Sequence, residues 1–523
     1  MRAILSAYDK TGVVDFARGL AELNPGFELF STGGTEALLR EAGLDVRGVQ
    51  ELTGFPEMLG GRVKTLHPAI HGGILALRDD PSHLDELAQH GMQPVDVVVA
   101  NLYPFLKVAR ESGARLSDAL ENIDIGGQTL LRAAAKNFLS VLAVCDPRDY
   151  DSLLEELRRS EGVSPDTRRR LAAKAFQHCA VYDTHVATYL RPHDELFPSE
   201  YTIALSKVTD LRSGENPHQL AAFYAESSPR PRPRAMASAT QVHGKAPSFN
   251  NTYDADLAWQ TVSDFTSTCV AIVKHGNLCG LSLGAGESVA DAFRKALATD
   301  PQTAFGSAVA ANRVVDDEAA HEIAAVFFED LVAPDFTREA LSVLQSKSDL
   351  RVFATRADQG TRGPNGSSPI PGELDYKRLL GGFLVQTRDA LAEQSFTPKV
   401  VTQRHPVLAE LTSLLFAWRA VKHVTSNGVV LAKGLALVGF GTGQPSRQDA
   451  VDLACRKAGE RARGSVLASD GFFPFPDAVE RAADAGVTAI IQPGGSTRDP
   501  ELIRAANRQG IAMIFTGERH YRH

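Results

Sequence analysis

The chain has 523 residues, of which 43% are hydrophobic and 23% charged, a composition typical of a globular protein with several domains. Its formal net charge of −8 disfavours a broad nucleic-acid surface but leaves room for local phosphate pockets. The cysteines are scattered without a C-x-x-C pair, no signal-peptide pattern follows Met1, and no apolar run reaches about 18 residues. We therefore expect a cytoplasmic protein that binds neither a membrane nor nucleic acid.

The first part of the chain alternates short strands, small-residue loops and helices, which predicts an α/β unit with a parallel sheet. A further predicted helix carries Arg132 and Lys136. The other predicted elements are strands over 2–7, 28–30, 95–100 and 140–145, and helices over 13–23, 36–42 and 165–190.

A run of small polar residues follows the second predicted strand. It consists of Ser31, Thr32, Gly33, Gly34 and Thr35. Amides and hydroxyls at the start of a helix suit a phosphate, because the N–H groups and the helix dipole both favour an anion. A plain capping turn explains such a short run about as well.

A basic stretch over 60–71 contains Arg62, Lys64 and two histidines, His67 and His71. A proline separates the histidines and no H-E-x-x-H motif is present, so we expect no metal there. A phosphate or oxyanion cradle built from Arg62 and Lys64 is better supported by the chemistry of these side chains.

Two further stretches place polar groups beside this loop region. The predicted strand over 95–100 runs into Asn101 and Tyr103, which supply an amide and a phenol at its end. Asp124 stands just before two glycines, and Lys136 follows about three helical turns later. The carboxylate and the ammonium could be opposite walls of one pocket, or equally surface charges.

The stretch Val270–Gly280 reads V-A-I-V-K-H-G-N-L-C-G and predicts a short buried strand that ends at Lys274 and His275. Ligands of open α/β sheets bind where strands end, and neighbouring strand residues point to opposite faces. The pair could therefore grip a reacting centre from two sides. The alternative is a solvated lysine beside a hydrogen-bonded loop histidine.

The rest of the second half repeats the alternation of short strands, polar loops and helices, and no internal repeat is apparent in the sequence. We place the domain boundary in the polar stretch 192–200, an exposed linker at 227–234, and a long loop or subdomain joint at 359–373. The predicted helices cover 254–264, 287–299, 316–328 and 406–421; strands cover 304–310 and 331–334, with two more within 429–440.

Five long motifs point to one family. They are G-F-P-E-M-L-G-G-R-V-K-T-L-H-P, N-L-Y-P-F, I-D-I-G-G-Q-T-L-L-R-A-A-A-K-N, F-F-P-F and I-I-Q-P-G-G-S. Over essentially its whole length the chain resembles the bifunctional purine biosynthesis proteins that combine phosphoribosylaminoimidazolecarboxamide (AICAR) formyltransferase with IMP cyclohydrolase. The resemblance implies a methylglyoxal-synthase-like parallel α/β domain over 1–195. It also implies a formyltransferase region over 196–523, made of two cytidine-deaminase-like α/β subdomains.

The resemblance implies that the second region passes a formyl group from 10-formyltetrahydrofolate to the AICAR amine. His275 would accept the amine proton and Lys274 would stabilise the tetrahedral intermediate or protonate the leaving folate nitrogen. Asn427 and Asp470 match positions that place the nucleotide or the folate. Further matched contacts with the nucleotide or the folate are Arg212, Asn251, Gly306, Glu329, Arg447 and Arg519.

The N-terminal domain would then close the ring of formyl-AICAR and release water. The resemblance assigns oxyanion stabilisation to Lys64 and proton transfer to Tyr103, Asp124 and Lys136. The nucleotide would be held by Lys10, Ser31, Thr32, Gly33, Gly34, Thr35, Arg62, Thr65, Asn101 and Gly126. No H-x-E followed by P-C-x-x-C is present, so we expect no catalytic zinc despite the deaminase-like fold.

The family also implies a homodimer in which two subunits share each formyltransferase site. Several positions depart from the usual family pattern: Ala7, Tyr8, Ser213, Leu278, Pro445 and Gly471. Ser213 replaces a usual tyrosine and removes a possible nucleotide contact. An enzyme with one decayed half, or a nucleotide-sensing protein without turnover, would be expected to lose catalytic residues. Lys64, Lys136, Lys274 and His275 are all present.

Overall fold

In a computed structural model, the described residues are 1–24, 26–111, 115–159, 162–192, 194–229, 235–284, 286, 288–356, 373–390 and 398–523. They divide into two compact units. The first unit comprises Met1–Leu205 and a short segment that begins at Glu226, and the second comprises Ser206–Ala225 and the later chain to His523. The predicted joint at 359–373 and the basic part of the 227–234 linker lie almost entirely outside the described residues.

The first unit is built on a parallel sheet covered by helices. Its strands are β1 (Arg2–Ala7), β2 (Glu28–Ser31), β3 (Val46–Gly48), β4 (Val97–Asn101) and β5 (Leu142–Val144). Its helices are α1 (Val13–Leu23), α2 (Gly33–Glu41), α3 (Val49–Thr53), α4 (Pro68–Leu75), α5 (Pro81–Gln89), α6 (Phe105–Arg110), α7 (Leu116–Glu121), α8 (Gly126–Lys136), α9 (Tyr150–Leu157) and α10 (Pro165–Leu190).

The sheet order is β3-β2-β1-β4-β5. From β1 the chain adds β2 and β3 on one side of the sheet and then β4 and β5 on the other, so the strand order reverses between β1 and β4. Every pairing in it is parallel. All residues of β4 are buried because helices cover both faces, which explains its uninterrupted apolar sequence. In such sheets the crevice for a ligand opens at the carboxyl ends of the strands beside the reversal point.

Local signals placed several elements of this unit correctly. The bounds of α1 and α10 coincide with the predicted ranges. Helix α10 begins where the Ser164 side chain accepts from the Thr167 N–H and Pro165 takes the first helical position. Helix α2 begins at Gly33, three residues before the predicted start, so the two glycines belong to its first turn.

The second unit contains the strands β6 (Leu205–Leu211), β7 (Ala221–Glu226), β8 (Thr240–His243), β9 (Cys269–Lys274), β10 (Asn277–Leu283), β11 (Ala308–Ala311), β12 (Asp330–Ala333), β13 (Arg351–Ala354), β14 (Leu374–Leu379), β15 (Gly382–Thr387), β16 (Lys399–Val400), β17 (Val429–Lys433), β18 (Ala436–Gly441), β19 (Val466–Ser469), β20 (Ala489–Gln492) and β21 (Ala512–Phe515). Its helices are α11 (Phe249–Ser263), α12 (Val289–Leu297), α13 (Pro301–Ala304), α14 (Asp317–Ala324), α15 (Arg338–Gln345), α16 (Leu408–Val421), α17 (Arg447–Ala458), α18 (Asp477–Asp484) and α19 (Asp499–Arg508).

One 12-stranded sheet runs through this unit in the order β16-β21-β20-β19-β17-β18-β10-β9-β11-β12-β13-β8. Each half of the sheet contains six strands that are consecutive in the chain. Read from the outer edge toward the centre of the sheet, both halves have the same order: the first strand of that half in the chain, then its sixth, fifth, fourth, second and third. Equivalent pairs also share their parallel or antiparallel sense. The unit is therefore an internal duplication, and the expectation of no internal repeat was wrong.

The two repeats meet at β10 and β18, which pair antiparallel with Ser282 opposite Ala436. Register identifies equivalent residues, because Ala308 pairs with Val273 in the first repeat as Val466 pairs with Ala432 in the second. Lys274 and Lys433, one residue further, are thus equivalent. The two repeats share their strand pairing and burial, but most of their side chains differ. For this reason the repeat was not visible in the sequence.

Candidate functional site

A cleft of about 700 Å³ opens in the first unit at the carboxyl ends of β1, β2 and β4. This is the edge that the strand order predicts for a ligand. The predicted site residues that line it are Lys10, Thr32, Gly33, Gly34, Thr35, Arg62, Lys64, Thr65, Asn101, Tyr103, Asp124 and Gly126. Tyr8, one of the departures from the family pattern, lines it as well.

Two lysine ammonium groups lie at one end of the cleft, and that of Lys64 also pairs with Glu57 at 3.1 Å. A Cβ built on Gly33 would lie 3.6 Å from Lys64 Nζ, and one built on Gly34 would lie 3.6 Å from Lys10 Nζ. Two ammonium groups therefore flank the start of α2, where the first N–H groups have no helical acceptor. Two cations and the positive end of a helix dipole suit a doubly charged anion such as a phosphate.

The hydroxyl groups of the Ser31–Thr35 run make hydrogen bonds within the protein. Ser31 is fully buried and its Oγ donates to the Leu5 carbonyl at 2.7 Å. The Thr35 Oγ1 donates to the Ala7 carbonyl at 2.8 Å, and the hydroxyls of Thr32 and Ser6 are 3.1 Å apart. Ser31 is thus outside the cleft lining. An anion here would be bound by backbone amides and lysines.

The other end of the cleft holds the proposed proton-transfer groups. The Asp124 Oδ1 accepts from the Gly127 N–H at 2.7 Å and its Oδ2 accepts from the Tyr103 N–H at 3.3 Å. Burial raises the pKa of Asp124 above its ordinary value, and these two hydrogen bonds oppose part of that shift. The Tyr103 ring is 45% exposed and packs edge-on against Tyr8, with 6.1 Å between ring centroids.

Three more predicted residues have defined surroundings. Both polar atoms of the Asn101 side chain bind the backbone of Asp9, at 2.7 and 2.9 Å, so Asn101 holds the loop that carries Lys10. Arg62 pairs with Glu121. Lys136 is exposed on the last turn of α8 and does not line the cleft, so the structure does not bring it together with the other members of the set.

The histidines of the 60–71 stretch have separate structural surroundings. The His67 Nδ1 caps α4 by accepting from the Ala69 N–H at 3.2 Å. Burial lowers the pKa of His71. Across the described part of the chain, no group of three or more His, Cys, Asp or Glu side chains could hold a metal ion. No helix among these residues is long and apolar enough to cross a membrane.

In the second unit Lys274 and His275 lie on a β-hairpin, where the sequence had predicted a strand that simply ends in a loop. His275 and Gly276 form the turn between β9 and β10, with φ angles of 52° and 72°. The imidazole of His275 is exposed. The Lys274 Nζ donates to the Phe305 carbonyl at 2.6 Å, beside Gly306.

Predicted nucleotide contacts surround this hairpin. The Asn251 Nδ2 donates to Glu329 Oε2 at 2.6 Å and to Asp330 Oδ2 at 3.0 Å. Arg212 has an exposed side chain, and its N–H donates to the Pro247 carbonyl at 3.1 Å, just before α11. The structure thus places Arg212, Asn251 and Glu329 near the start of α11, the helix whose Asp254 contacts the His275–Gly276 turn.

The second predicted set gathers around Asp470, which is buried beneath Asn427 and Arg447. Asp470 is fully buried and accepts hydrogen bonds from Ser426 Oγ, the Gly428 N–H and Arg447 Nη1. The Arg447 Nη2 also donates to Asn427 Oδ1 at 2.6 Å. All of these bonds are internal to the protein, and through them Asp470 holds the Asn427 loop and Arg447 in place.

The two sets are adjacent in the fold. Asn277 follows the His275–Gly276 turn, and its Oδ1 accepts from the Thr442 hydroxyl at 2.7 Å, across the seam between the repeats. Beyond Asn427 lies a pocket of about 610 Å³ that contains Arg447, Phe475 and Tyr521. Arg519 stacks on Tyr521 at 4.7 Å from the ring centroid. Aromatic walls beside a guanidinium suit a flat heterocycle.

Of the family departures in this unit, Gly471 has a local explanation, and the structure gives none for the side chains of Ser213, Leu278 and Pro445. A Cβ on Gly471 would lie 2.5 Å from the Tyr521 ring, so the glycine admits that ring. Leu278 is fully buried in β10, and the Pro445 carbonyl accepts from Asn427 at 2.9 Å. The Ser213 carbonyl accepts from the Phe249 N–H at 3.0 Å at the start of α11. These substitutions leave the Lys274–His275 turn intact.

Sequence reasoning missed Asp254. Its carboxylate accepts from the N–H groups of both His275 and Gly276. No motif marks this aspartate; the available signal was its position one helical turn after Asn251, on the same face of α11.

Comparison with known proteins gives two family matches. The family described as AICARFT/IMPCHase bienzyme matches residues 134–457, and the MGS-like domain matches residues 12–129. The bifunctional purine biosynthesis protein PurH of Bacillus cereus strain AH820 is 47% identical over 523 residues, which cover all of this chain and 99% of that protein. The protein of the same name from Magnetococcus marinus is 47% identical, with the same coverage of both chains.

One solved structure, described as "Crystal structure of ForH", is 40% identical over 36% of this chain and 95% of its own, with a TM-score of 0.33. A TM-score at that level carries no argument about the fold.

Proposed function

The chain belongs to the AICARFT/IMPCHase bienzyme family, and we propose that it formylates AICAR in its second unit and closes the product to IMP in its first. These are the last two steps of IMP biosynthesis. The observation that carries the proposal is the presence of two separate sets of polar groups. One lies in the cleft with Lys64, Tyr103 and Asp124, and the other lies around the Lys274–His275 turn.

For formyl transfer we take 10-formyltetrahydrofolate as the formyl donor. The AICAR amine attacks the formyl carbon while His275, exposed at the tip of the turn, accepts the amine proton. Lys274 lies next to it and stabilises the oxyanion of the tetrahedral intermediate. The bond from the formyl carbon to the folate nitrogen then breaks, and that nitrogen takes up a proton as it leaves.

The cleft of the first unit supports ring closure because it has lysines at one end and the proposed proton-transfer groups at the other. A phosphate held at the start of α2 beside Lys10 would direct the rest of the nucleotide toward Tyr103 and Asp124, and Lys64 would stabilise the oxyanion that forms during ring closure. The carboxamide nitrogen attacks the formyl carbon, and loss of water completes the ring. Burial raises the pKa of Asp124, which suits a carboxyl group that alternately holds and releases a proton.

The supporting residues take the following proposed roles. Asn427 and Arg447, held by buried Asp470, would contact the nucleotide or the folate. Arg212, Asn251, Gly306, Glu329 and Arg519 remain proposed nucleotide contacts, and a role for Lys136 in cyclisation remains a prediction. No step in this scheme calls for a metal ion.

We further propose that residues 196–523 comprise two cytidine-deaminase-like subdomains and that the protein is a cytoplasmic homodimer with shared formyltransferase sites. The duplicated strand order supports two subdomains of one origin. All five cysteines are free and buried, which supports a reducing compartment.

The test is a direct assay of the purified protein with AICAR and 10-formyltetrahydrofolate, in which formyl-AICAR and IMP are quantified over time. A second reaction supplied with formyl-AICAR measures ring closure alone. We expect IMP in both reactions. Tight nucleotide binding without turnover in either would instead establish a nucleotide-sensing protein, and turnover in only one would establish an enzyme with a single activity.

A further inference from the structure

We propose that Asp254 is a positioning residue for formyl transfer, which holds the Lys274–His275 turn in the conformation that presents the imidazole to the amine. The proposal rests on the formyltransferase function proposed above and adds a residue to it. We assign it no contact with the substrate, because both of its carboxylate oxygens bind backbone N–H groups of the turn.

Asp254 contacts the turn through two hydrogen bonds, one to each carboxylate oxygen. The Oδ2 accepts from the His275 N–H at 2.8 Å and the Oδ1 accepts from the Gly276 N–H at 2.7 Å. Both carboxylate oxygens are thus committed to consecutive amides of one turn. Asp254 is 8% exposed, so water does not compete effectively for these bonds.

The turn needs such support because of its backbone. His275 has a φ of 52°, a left-handed conformation that is uncommon for a residue with a side chain. Such conformations cost free energy and persist where surrounding contacts hold them. In this conformation the N–H groups of His275 and Gly276 both point toward the Asp254 carboxylate. We expect a turn with a different φ at His275 to lose that arrangement.

The second repeat provides an internal comparison. Lys433 matches Lys274, and its Nζ donates to the Arg463 carbonyl at 3.2 Å, just as Lys274 binds the Phe305 carbonyl. Glycine occupies the position of His275 there, and Ser413 occupies the position of Asp254, six residues after the helix N-cap. The Ser413 hydroxyl donates to the Ala409 carbonyl of its own helix. The repeat without the histidine therefore also lacks the carboxylate, while the lysine contact is kept.

The experiment compares Asp254→Asn, His275→Ala and the double variant with wild-type protein. The neutral amide has similar size, keeps one acceptor and turns an N–H donor toward the other turn amide. Because displacement of a reacting group by about 1 Å can cost about 10²-fold, we expect kcat for formyl transfer to fall about 10- to 100-fold. The KM for AICAR should change less than about 3-fold, and cyclisation of added formyl-AICAR should equal that of wild type.

The double variant identifies the route of the effect. If Asp254 acts through His275, adding Asp254→Asn to His275→Ala gives no further loss of transfer, whereas independent roles give losses that multiply. Ser413→Ala, at the equivalent position of the second repeat, is the matched control and should leave transfer unchanged.

Distinct outcomes overturn distinct claims. Wild-type protein without formyl transfer would reject the proposed function. Active wild type together with fully active Asp254→Asn, or with multiplying losses in the double variant, would reject the positioning role. Asp254→Ser serves as a second variant with a shorter neutral side chain. Loss of soluble folded protein in both variants would also reject it, by showing that Asp254 is required for folding in general.

Discussion

Replacing Asp470 by asparagine tests whether this carboxylate is a buried structural group or acts on substrate. In the structure it is fully buried and binds Ser426, Gly428 and Arg447. The Arg447 side chain is itself only 4% exposed. Removing one partner of a buried charge pair leaves the other uncompensated, which typically costs about 3–5 kcal/mol. We expect Asp470→Asn to lower the free energy of unfolding of the second unit by about that amount.

In a urea titration, formyl transfer reports the unfolding of the second unit and cyclisation reports the unfolding of the first. With a urea m-value of about 3 kcal/mol/M, a loss of about 3–5 kcal/mol lowers the midpoint for formyl transfer by about 1–1.7 M. The midpoint for cyclisation should stay in place, since its residues lie in the other unit. Asp484→Asn, an exposed aspartate of α18, is the matched control and should shift the midpoint by less than the equivalent of about 0.5 kcal/mol.

The two roles of Asp470 give opposite results. A structural carboxylate lowers the urea midpoint and loses transfer by displacing Asn427 and Arg447. A group that acts on the substrate lowers kcat at an unchanged midpoint. An Asp470→Asn variant with wild-type stability and strongly reduced kcat would therefore refute the reasoning.

Three further predictions concern the catalytic sets, the assembly and pH. His275→Ala should lower formyl transfer about 10²- to 10⁴-fold, leaving a measurable rate, and spare cyclisation, whereas Lys64→Ala should lower cyclisation by about the same factor and let formyl-AICAR accumulate; loss of both activities in either folded variant would contradict separate sites. If each shared site of a two-fold dimer takes His275 from one subunit and Asn427 from the other, mixed His275→Ala and Asn427→Ala subunits should regain transfer, and a fully active monomer in sedimentation would contradict the dimer. Burial raises the pKa of Asp330 to about 7, so its contribution to stability is present below about pH 4 and is lost as the pH rises toward 7. Asp330→Asn should therefore gain stability relative to wild type across that window in chemical unfolding experiments, and a pH-independent difference would contradict the shift.

The sequence by itself determined the α/β class, many of the elements and the family. Helices with strong local signals, such as α1 and α10, were placed at their observed bounds because capping residues and apolar spacing act over a few neighbours. Several residues that line the cleft could also be named from the sequence, since Gly33 and Gly34 follow a strand and Lys64 lies in the basic stretch 60–71. Family membership followed from motifs several residues long.

Only the tertiary structure decided the features that depend on distant pairing. The duplication of the second unit is carried by strand order and register, which leave no period in the sequence when side chains diverge. The burial of Asp470 and of Ser31 depends on what packs over them, so a polar residue at a strand end could be a ligand contact or a structural one. The support of His275 by Asp254 joins residues 21 positions apart. Such a contact is fixed by the packing of α11 against β9, which no local pattern specifies.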